Sequence, residues 1–104
     1  MIIVTTETVP GKTITRVLGM MRGNTVRARA IGRDIQAVFR NVIGGEIVEY
    51  TKLMAESREQ ALDRMVAAAE GLGADAVVSL RFTTSMIMGG AAELLAYGTA
   101  VAVE

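Results

Sequence analysis

Residues 46–82 constrain the fold more than any other part of the chain. No proline or glycine occurs in residues 46–70, and apolar residues recur there at steps of three and four, the spacing of an amphipathic helix. This apolar stripe consists of Ile47, Tyr50, Leu53, Met54, Ala61, Leu62, Met65, Val66 and Ala69. Glu46 and Glu49 lie where the positive end of the helix dipole favours acids. The pattern predicts one long helix over residues 46–70.

The chain after this helix predicts a stop and then a strand. In Gly71-Leu72-Gly73, either glycine can adopt the left-handed conformation that ends a helix. Residues 75–84 then alternate between two faces. The apolar face of this strand consists of Ala76, Val78, Leu80 and Phe82. We expect that face to pack against the long helix, which leaves Arg81 on the other face without a packing explanation.

Three more segments have strand patterns. Residues 2–6, 13–21 and 94–103 are rich in β-branched or alternating apolar residues. A turn at Pro10-Gly11 would join the first two strands as a hairpin. The sheet predicted from these segments is small and antiparallel.

The connecting segments are less regular. Residues 22–25 are expected to break the second strand, residues 26–33 are either extended or an exposed arm, and residues 84–92 form a loop. Asp34 suits a helix start and Gly44-Gly45 a helix end, which predicts a short helix between them. The sequence thus predicts a single α+β domain over residues 1–104, with the sheet packed on one long helix plus this short helix.

The apolar content exceeds what a small domain can hide. The chain has 104 residues, of which 51% are hydrophobic and only 4% aromatic. Residues 94–103 carry apolar or small side chains on both sides of the strand, so both sides need cover. We expect the helix on one side and a second subunit on the other, in a homo-oligomer. A denser single core is the alternative.

Opposite charges are concentrated in the two parts of the chain. Residues 1–45 contain seven Lys or Arg against two acids, and residues 46–104 contain four against nine, so the net charge is zero. These parts can attract each other within a subunit or between neighbours. Arg27, Arg29 and Arg33 lack interleaved aromatic residues, so nucleic-acid binding is not favoured.

Missing residue types exclude several kinds of chemistry. The sequence has no Cys and no His, which excludes disulfides and a Ser-His-Asp triad and removes the commonest metal ligand. The first residues do not resemble a signal peptide, and no apolar run approaches the roughly 20 residues of a membrane helix. We therefore expect a cytoplasmic protein with no membrane partner.

A few residues are candidates for binding a small ligand or ion. Gly44-Gly45-Glu46 would open the long helix, where free N–H groups can hold an anion, although a glycine pair also suits a plain turn. Arg16 and Arg81 lie on strands and either pair with acids at a subunit interface or hold an anionic ligand. Tyr50 and Tyr97 would place hydroxyl groups near the glycine pair.

Several short motifs together resemble the YbjQ-like family of small bacterial and archaeal proteins of uncharacterised function. The likeness spans nearly the whole chain. It is carried by Thr8-Val9-Pro10-Gly11, Leu18-Gly19, Arg22-Gly23, Asp34, Gly44-Gly45-Glu46, Tyr50, Arg58, Ala61, Gly73-Ala74-Asp75-Ala76-Val77-Val78 and Ala96-Tyr97-Gly98-Thr99-Ala100-Val101.

The resemblance implies an α+β subunit with a dodecin-like layout and a ring-shaped homo-oligomer, a pentamer. Members of the family are often labelled heavy-metal-binding. Here only Met sulfurs and carboxylates remain as ligands, and thioethers suit a soft ion such as Cu(I).

Three functions are consistent with these observations. The first is a non-catalytic ring that binds a small ligand or ion at subunit interfaces. The second is an enzyme that acts on a small anionic substrate through Arg16, Arg81, Tyr50 and Glu46. The third is a metal site lined by methionine and carboxylates. The sequence names no cofactor for any of them.

Overall fold

The computed structural model describes residues 1–27, 42–43, 46–87 and 91–104, with the backbone alone at residues 42–43 and 46–50. Its elements in chain order are β1 (Ile2–Ile3), β2 (Ile14–Arg27), β3 (Val42–Ile43), β4 (Glu46–Ile47), α1 (Val48–Gly71), β5 (Ala76–Met86) and β6 (Ala92–Val103). The predicted short helix over residues 34–43 lies outside the described residues, except that Val42–Ile43 is a strand.

The main sheet has four strands in the order β1-β5-β6-β2. β6 pairs with β5 and with β2 in antiparallel fashion, whereas β1 pairs with β5 in parallel. The sheet is therefore mixed, and the prediction of a purely antiparallel sheet is wrong. The predicted hairpin at Pro10-Gly11 is also wrong: the chain does turn there, with Gly11 at φ +82°, but β1 fills the otherwise unpaired edge of β5.

Three strands extend beyond the bounds that the sequence pattern predicts. β2 continues to Arg27 through the expected break at residues 22–25, because Gly23 is required by close packing rather than by a turn. β5 extends to Met86 and β6 begins at Ala92, with Met86 opposite Ala92. Most of the predicted loop over residues 84–92 therefore belongs to a long hairpin.

α1 confirms the long helix, with a start two residues later than predicted. Glu46–Ile47 pairs with Val42–Ile43 as a two-stranded ladder, so the glycine pair falls between β3 and β4 and does not open the helix. Gly44 and Gly45 themselves lie outside the described residues. The predicted stop is confirmed: Gly73 has φ +74°, and its amide donates to the carbonyl of Glu70 at 2.9 Å.

Apolar side chains form two clusters, one on each face of the sheet. The cluster under α1 contains Ala61, Met65, Ala69, Val77, Leu80, Leu94, Ala96 and Ala100. The second cluster, on the face away from α1, contains Val9, Ala76, Val78 and Val101. The core therefore has two parts, with the central strands between them.

The predicted apolar face of β5 is wrong except at Leu80. Val77 and Leu80 pack under α1, whereas Ala76 and Val78 belong to the second cluster, and Phe82 is 40% exposed. The cause is a bulge between Val78 and Arg81, at which Ser79 has φ +54°. A bulge inserts one residue and so reverses the alternation of all later side chains.

Small residues let the helix and the strands approach closely. A Cβ added to Gly98 would lie 2.7 Å from Cγ1 of Val77. One added to Gly23 would collide with the backbone of α1 at Ala61 and Met65. Among the residues that the structure describes, no helix is both long and apolar enough to cross a membrane.

Candidate functional site

The face of the sheet opposite α1 is only partly covered, and we call it the open sheet face. It is made of alternate residues on β2, β6 and β5, namely Val17, Met20, Arg22, Asn24, Val26, Arg81, Thr83, Leu95, Tyr97 and Thr99. Val17, Met20 and Val26 are 65%, 63% and 56% exposed. Leu95, Tyr97 and Thr99 on the central strand are half-buried. Exposed aliphatic side chains beside arginines are typical of a binding surface.

Arg22, Tyr97 and Arg81 form one row across this face. Arg22 pairs with Tyr97 on one side, and Arg81 pairs with Tyr97 on the other. Adjacent strands lie about 4.8 Å apart, which places the two arginine Cα atoms about 10 Å from each other. Each arginine side chain is long enough to extend toward the tyrosine, and Nη1 of Arg81 is anchored on the β1 side of β5.

Arg81 is held in place by the backbone. Its Nη1 donates to the carbonyl oxygen of Thr5 at 2.9 Å and to that of Leu80 at 2.7 Å. Nε and Nη2 make no hydrogen bond within the described part of the chain. The side chain is thus positioned in advance, with two donor nitrogens left for another partner.

No acidic residue belongs to this row or to its two neighbouring rows. Arg22 is exposed and makes no hydrogen bond or ion pair with the described residues. The neighbouring rows of the open sheet face, Thr83-Leu95-Asn24 and Val78-Thr99-Met20, contain no carboxylate. Glu93, one row further along, accepts a hydrogen bond from Nδ2 of Asn24 at 3.1 Å. The row therefore favours an anion.

On the side of the sheet that faces α1, acidic residues outnumber basic ones. A shallow groove beside α1 is lined by Arg27, Ala55, Glu56, Glu59, Gln60 and Asp63. Nη1 of Arg27 lies 3.5 Å from Oε2 of Glu56, and its Nη2 donates to Gln60 at 3.0 Å. The ion pair between Arg27 and Glu56 compensates part of the charge separation within one chain. No three Asp or Glu residues of the described ranges are arranged to hold a metal ion.

The residues predicted to bind a ligand are spread over the molecule. Arg16 pairs with Ala102, five positions from Tyr97, so it lies about 17 Å along the strand from Arg81. Tyr50 is in the first turn of α1, which lies on the opposite face of the sheet from the arginine row. Glu46 lies in β4, and Gly44 and Gly45 are outside the described residues.

The sequence interpretation missed Arg22 and the role of Tyr97. It treated Arg22-Gly23 as the start of a break, because glycine and asparagine often punctuate strands. The signal was present in the alternation of Met20, Arg22, Asn24 and Val26 with buried or half-buried residues, which continues across that point. Tyr97 lies between two arginines, and the glycine pair beside which it was expected lies outside the described residues.

Comparison with known proteins defines the class of the chain. A family model described as "Putative heavy-metal-binding" matches residues 1–104. The chain belongs to this family, the YbjQ-like family, as its motifs predict. A "UPF0145 protein" of Methanosarcina acetivorans is 59% identical over 97% of this chain and 95% of its own length. One of Clostridioides difficile is 52% identical over 100% of this chain and 93% of its own length.

A solved structure supports the fold. The crystal structure of a protein of unknown function from Pediococcus pentosaceus, assigned to the DUF74 family, matches with a TM-score of 0.70. The match covers 100% of this chain and 98% of that one at 18% sequence identity. At that identity the likeness concerns the small α+β fold alone.

Proposed function

We propose that this protein is a non-catalytic, ring-forming homo-oligomer that binds a small ligand or ion at its subunit interfaces. The observation that carries the proposal is a pair of matching strand edges that no other described strand pairs with. Five copies, as the family resemblance implies, is the expected number.

The two free edges lie on opposite sides of one sheet. β2 is an outer strand, and beyond Leu80 no described residue pairs with the backbone of β5 on its outer side. The free part of β5, residues 81–86, spans the same rows as residues 22–27 of β2. Free edges of this kind are templates for pairing with another chain.

The strand directions favour a ring over a symmetric dimer. β2 and β5 are both antiparallel to β6, so they run in the same direction. Rotation about an axis along the strands preserves that direction, so β2 of one copy can pair with β5 of the next in parallel. Such a head-to-tail contact closes into a ring when the rotation angle allows it.

The exposed side chains of β2 support association at this edge. Val17, Met20 and Val26 are each more than half exposed on the strand that forms the free edge. A neighbour that covers them removes apolar surface from water, at roughly 25 cal/mol per Å². In the first row shared by two copies, Arg22 of one copy then lies beside Arg81 of the next. This places charged donors at the interface, where a ligand would bind.

The enzyme alternative is less well supported by the geometry. It requires Arg16, Arg81, Tyr50 and Glu46 to meet at one place. Strand spacing separates Arg16 from Arg81 by about 17 Å within a chain, and Tyr50 lies on α1, across the sheet from Arg81.

Light scattering after size-exclusion chromatography tests the ring. We expect wild-type protein at micromolar concentration to have the mass of several copies, and the double variant Met20→Lys, Val26→Lys to shift toward single chains, because two charges would be buried at the interface. Leu72→Lys is the matched control, since Leu72 is 49% exposed beyond the end of α1. A monomeric wild type, or equal effects of both changes, would contradict the proposal.

A further inference from the structure

We infer that the ligand site of the open sheet face is a phosphate site, formed by Arg22, Tyr97 and Arg81. The inference rests on the proposed function, because this row of one chain continues across the proposed interface, and it names the ligand class. It adds Arg22 and Tyr97 as binding residues and commits to a doubly charged oxyanion.

The arrangement of donors selects the shape of the ligand. The two arginines lie on strands on opposite sides of Tyr97, about 10 Å apart at their Cα atoms. A tetrahedral phosphate presents acceptor oxygens in several directions, so it can accept from both arginines at once. A single carboxylate has its two oxygens on one side and matches one guanidinium.

Charge and preorganisation both favour binding. The row and its neighbouring rows on this face hold two arginines and no acid. Arg81 is fixed by the carbonyls of Thr5 and Leu80, so less side-chain entropy is lost when it binds. The half-buried ring of Tyr97 gives the site an apolar base with a phenolic donor at its tip.

The fold positions these three residues by a specific device. Val77 faces α1, so strict alternation would place Arg81, four residues later, against α1 as well. The bulge at Ser79 reverses the alternation and brings Arg81 to the open sheet face. Bulges often re-aim a side chain in this way at binding sites.

Calorimetric titration with inorganic phosphate at constant ionic strength tests the inference. We expect one saturable site per chain and binding about tenfold weaker in Arg22→Gln, because a charge-assisted hydrogen bond is lost. Arg58→Gln removes the same charge from the exposed side of α1 and is the matched control. Absence of saturable binding in the wild type, or equal weakening in both variants, would overturn the inference.

A second set of titrations separates the binding role of Arg81 from its structural role. Arg81→Lys keeps a donor for the carbonyl of Thr5 but loses the planar fork, so phosphate binding should weaken about tenfold while the melting temperature stays within a few degrees. Unchanged phosphate binding in this variant would exclude Arg81 from the site.

The charge of the ligand is tested with three probes. Inorganic phosphate and glycerol 1-phosphate should bind alike, whereas dimethyl phosphate, with one charge, should bind at least about tenfold more weakly. Equal binding of all three would overturn the assignment to a dianion.

Light scattering on the same samples distinguishes this inference from the ring. Oligomers that do not bind phosphate would refute the phosphate site and leave the ring intact. Single chains that bind phosphate through Arg22 would refute the ring and leave the phosphate site intact.

Discussion

Gly23 marks the point at which sheet and helix are in closest contact. A Cβ there would meet the amide nitrogen of Met65 and the carbonyl oxygen of Ala61, and would lie 2.9 Å from the carbonyl carbon of Arg64. These are backbone atoms of a packed helix, which cannot rotate aside as a flexible side chain can. The neighbours of Gly23 hold the helix on either side, since Asn24 accepts from Nη1 of Arg64 at 2.6 Å and Thr25 donates to the carbonyl of Ser57 at 3.2 Å.

Gly23→Ala should therefore destabilise the protein strongly. We expect the free energy of unfolding to fall by about 3 kcal/mol or more, because the helix must move away from the sheet. Chemical denaturation at fixed protein concentration measures the change.

Gly71→Ala is the matched control for this substitution. Gly71 ends α1 with nothing within 4 Å of an added Cβ, so its replacement should be neutral or stabilise by up to about 1 kcal/mol. Similar losses at both positions would show that the close approach at Gly23 is not the cause.

At the scale of single residues, the sequence identified Arg81 and missed Arg22. Arg81 was noticeable as a charge in an apolar strand pattern. Gly23 caused Arg22 to be assigned to a break in the strand, because the sequence alone does not distinguish a glycine required by helix contact from one required by a turn. The two cases differ only in what packs above them, and that depends on the tertiary structure.

Among the elements, β5 owes its two-sided packing to the bulge at Ser79. Ser79 has φ +54°, and its amide donates to the carbonyl of Thr6 at 2.9 Å. The hydrogen bond holds the N-terminal segment against β5 at the point where the alternation reverses. A non-glycine residue in the left-handed region costs of order 1 kcal/mol or more.

The free energy of unfolding of Ser79 variants should depend on how well each replacement residue tolerates positive φ. Ser79→Val should lower the free energy of unfolding by about 1 to 3 kcal/mol, because β-branched residues tolerate positive φ poorly. Ser79→Gly should change it by less than about 1 kcal/mol. Thermal unfolding provides the comparison, and Thr83→Val, at an exposed position of the same strand, is the control. A valine at position 79 that is as stable as the wild type would contradict this account.

The sequence predicted the helix and the strands better than it predicted which strands pair with each other. The 3.6-residue period and Gly73 define α1, and β-branched alternation defines β5 and β6. The pairing of β1 with β5 was not predictable, because nothing in residues 2–6 specifies a neighbour. The bulge was equally hidden, since serine has no strong preference for the left-handed region.

At the scale of the whole molecule, contacts within the chain compensate part of the charge separation between residues 1–45 and residues 46–104. Arg27 of the basic part contacts Glu56 and Gln60 of the acidic part. Arg64, which belongs to the acidic part, donates a hydrogen bond to the backbone of β2, which belongs to the basic part. Arg16 and Arg22 make no such contact with the described residues, so they are the charges available to a neighbour or a ligand.

The family label predicts metal binding, whereas the chain lacks the nitrogen and thiolate ligands that Zn²⁺ and Ni²⁺ commonly take. The chain has no His or Cys, and no three acids of the described ranges form a cluster that could hold an ion. Calorimetric titration with Zn²⁺ and Ni²⁺ should therefore give no saturable heat at micromolar protein, with metal added to an EDTA blank as the control. A saturable site at this concentration would refute the prediction.

The position of β6 has a consequence for synthesis of the protein. β6 is the last strand along the chain, yet it lies between β5 and β2. A ribosome therefore releases the middle of the sheet after both of its neighbours, and β2 must wait unpaired while some 65 further residues are made. Folding during translation cannot progress strand by strand, because β2 has no partner in the main sheet until β6 has left the exit tunnel.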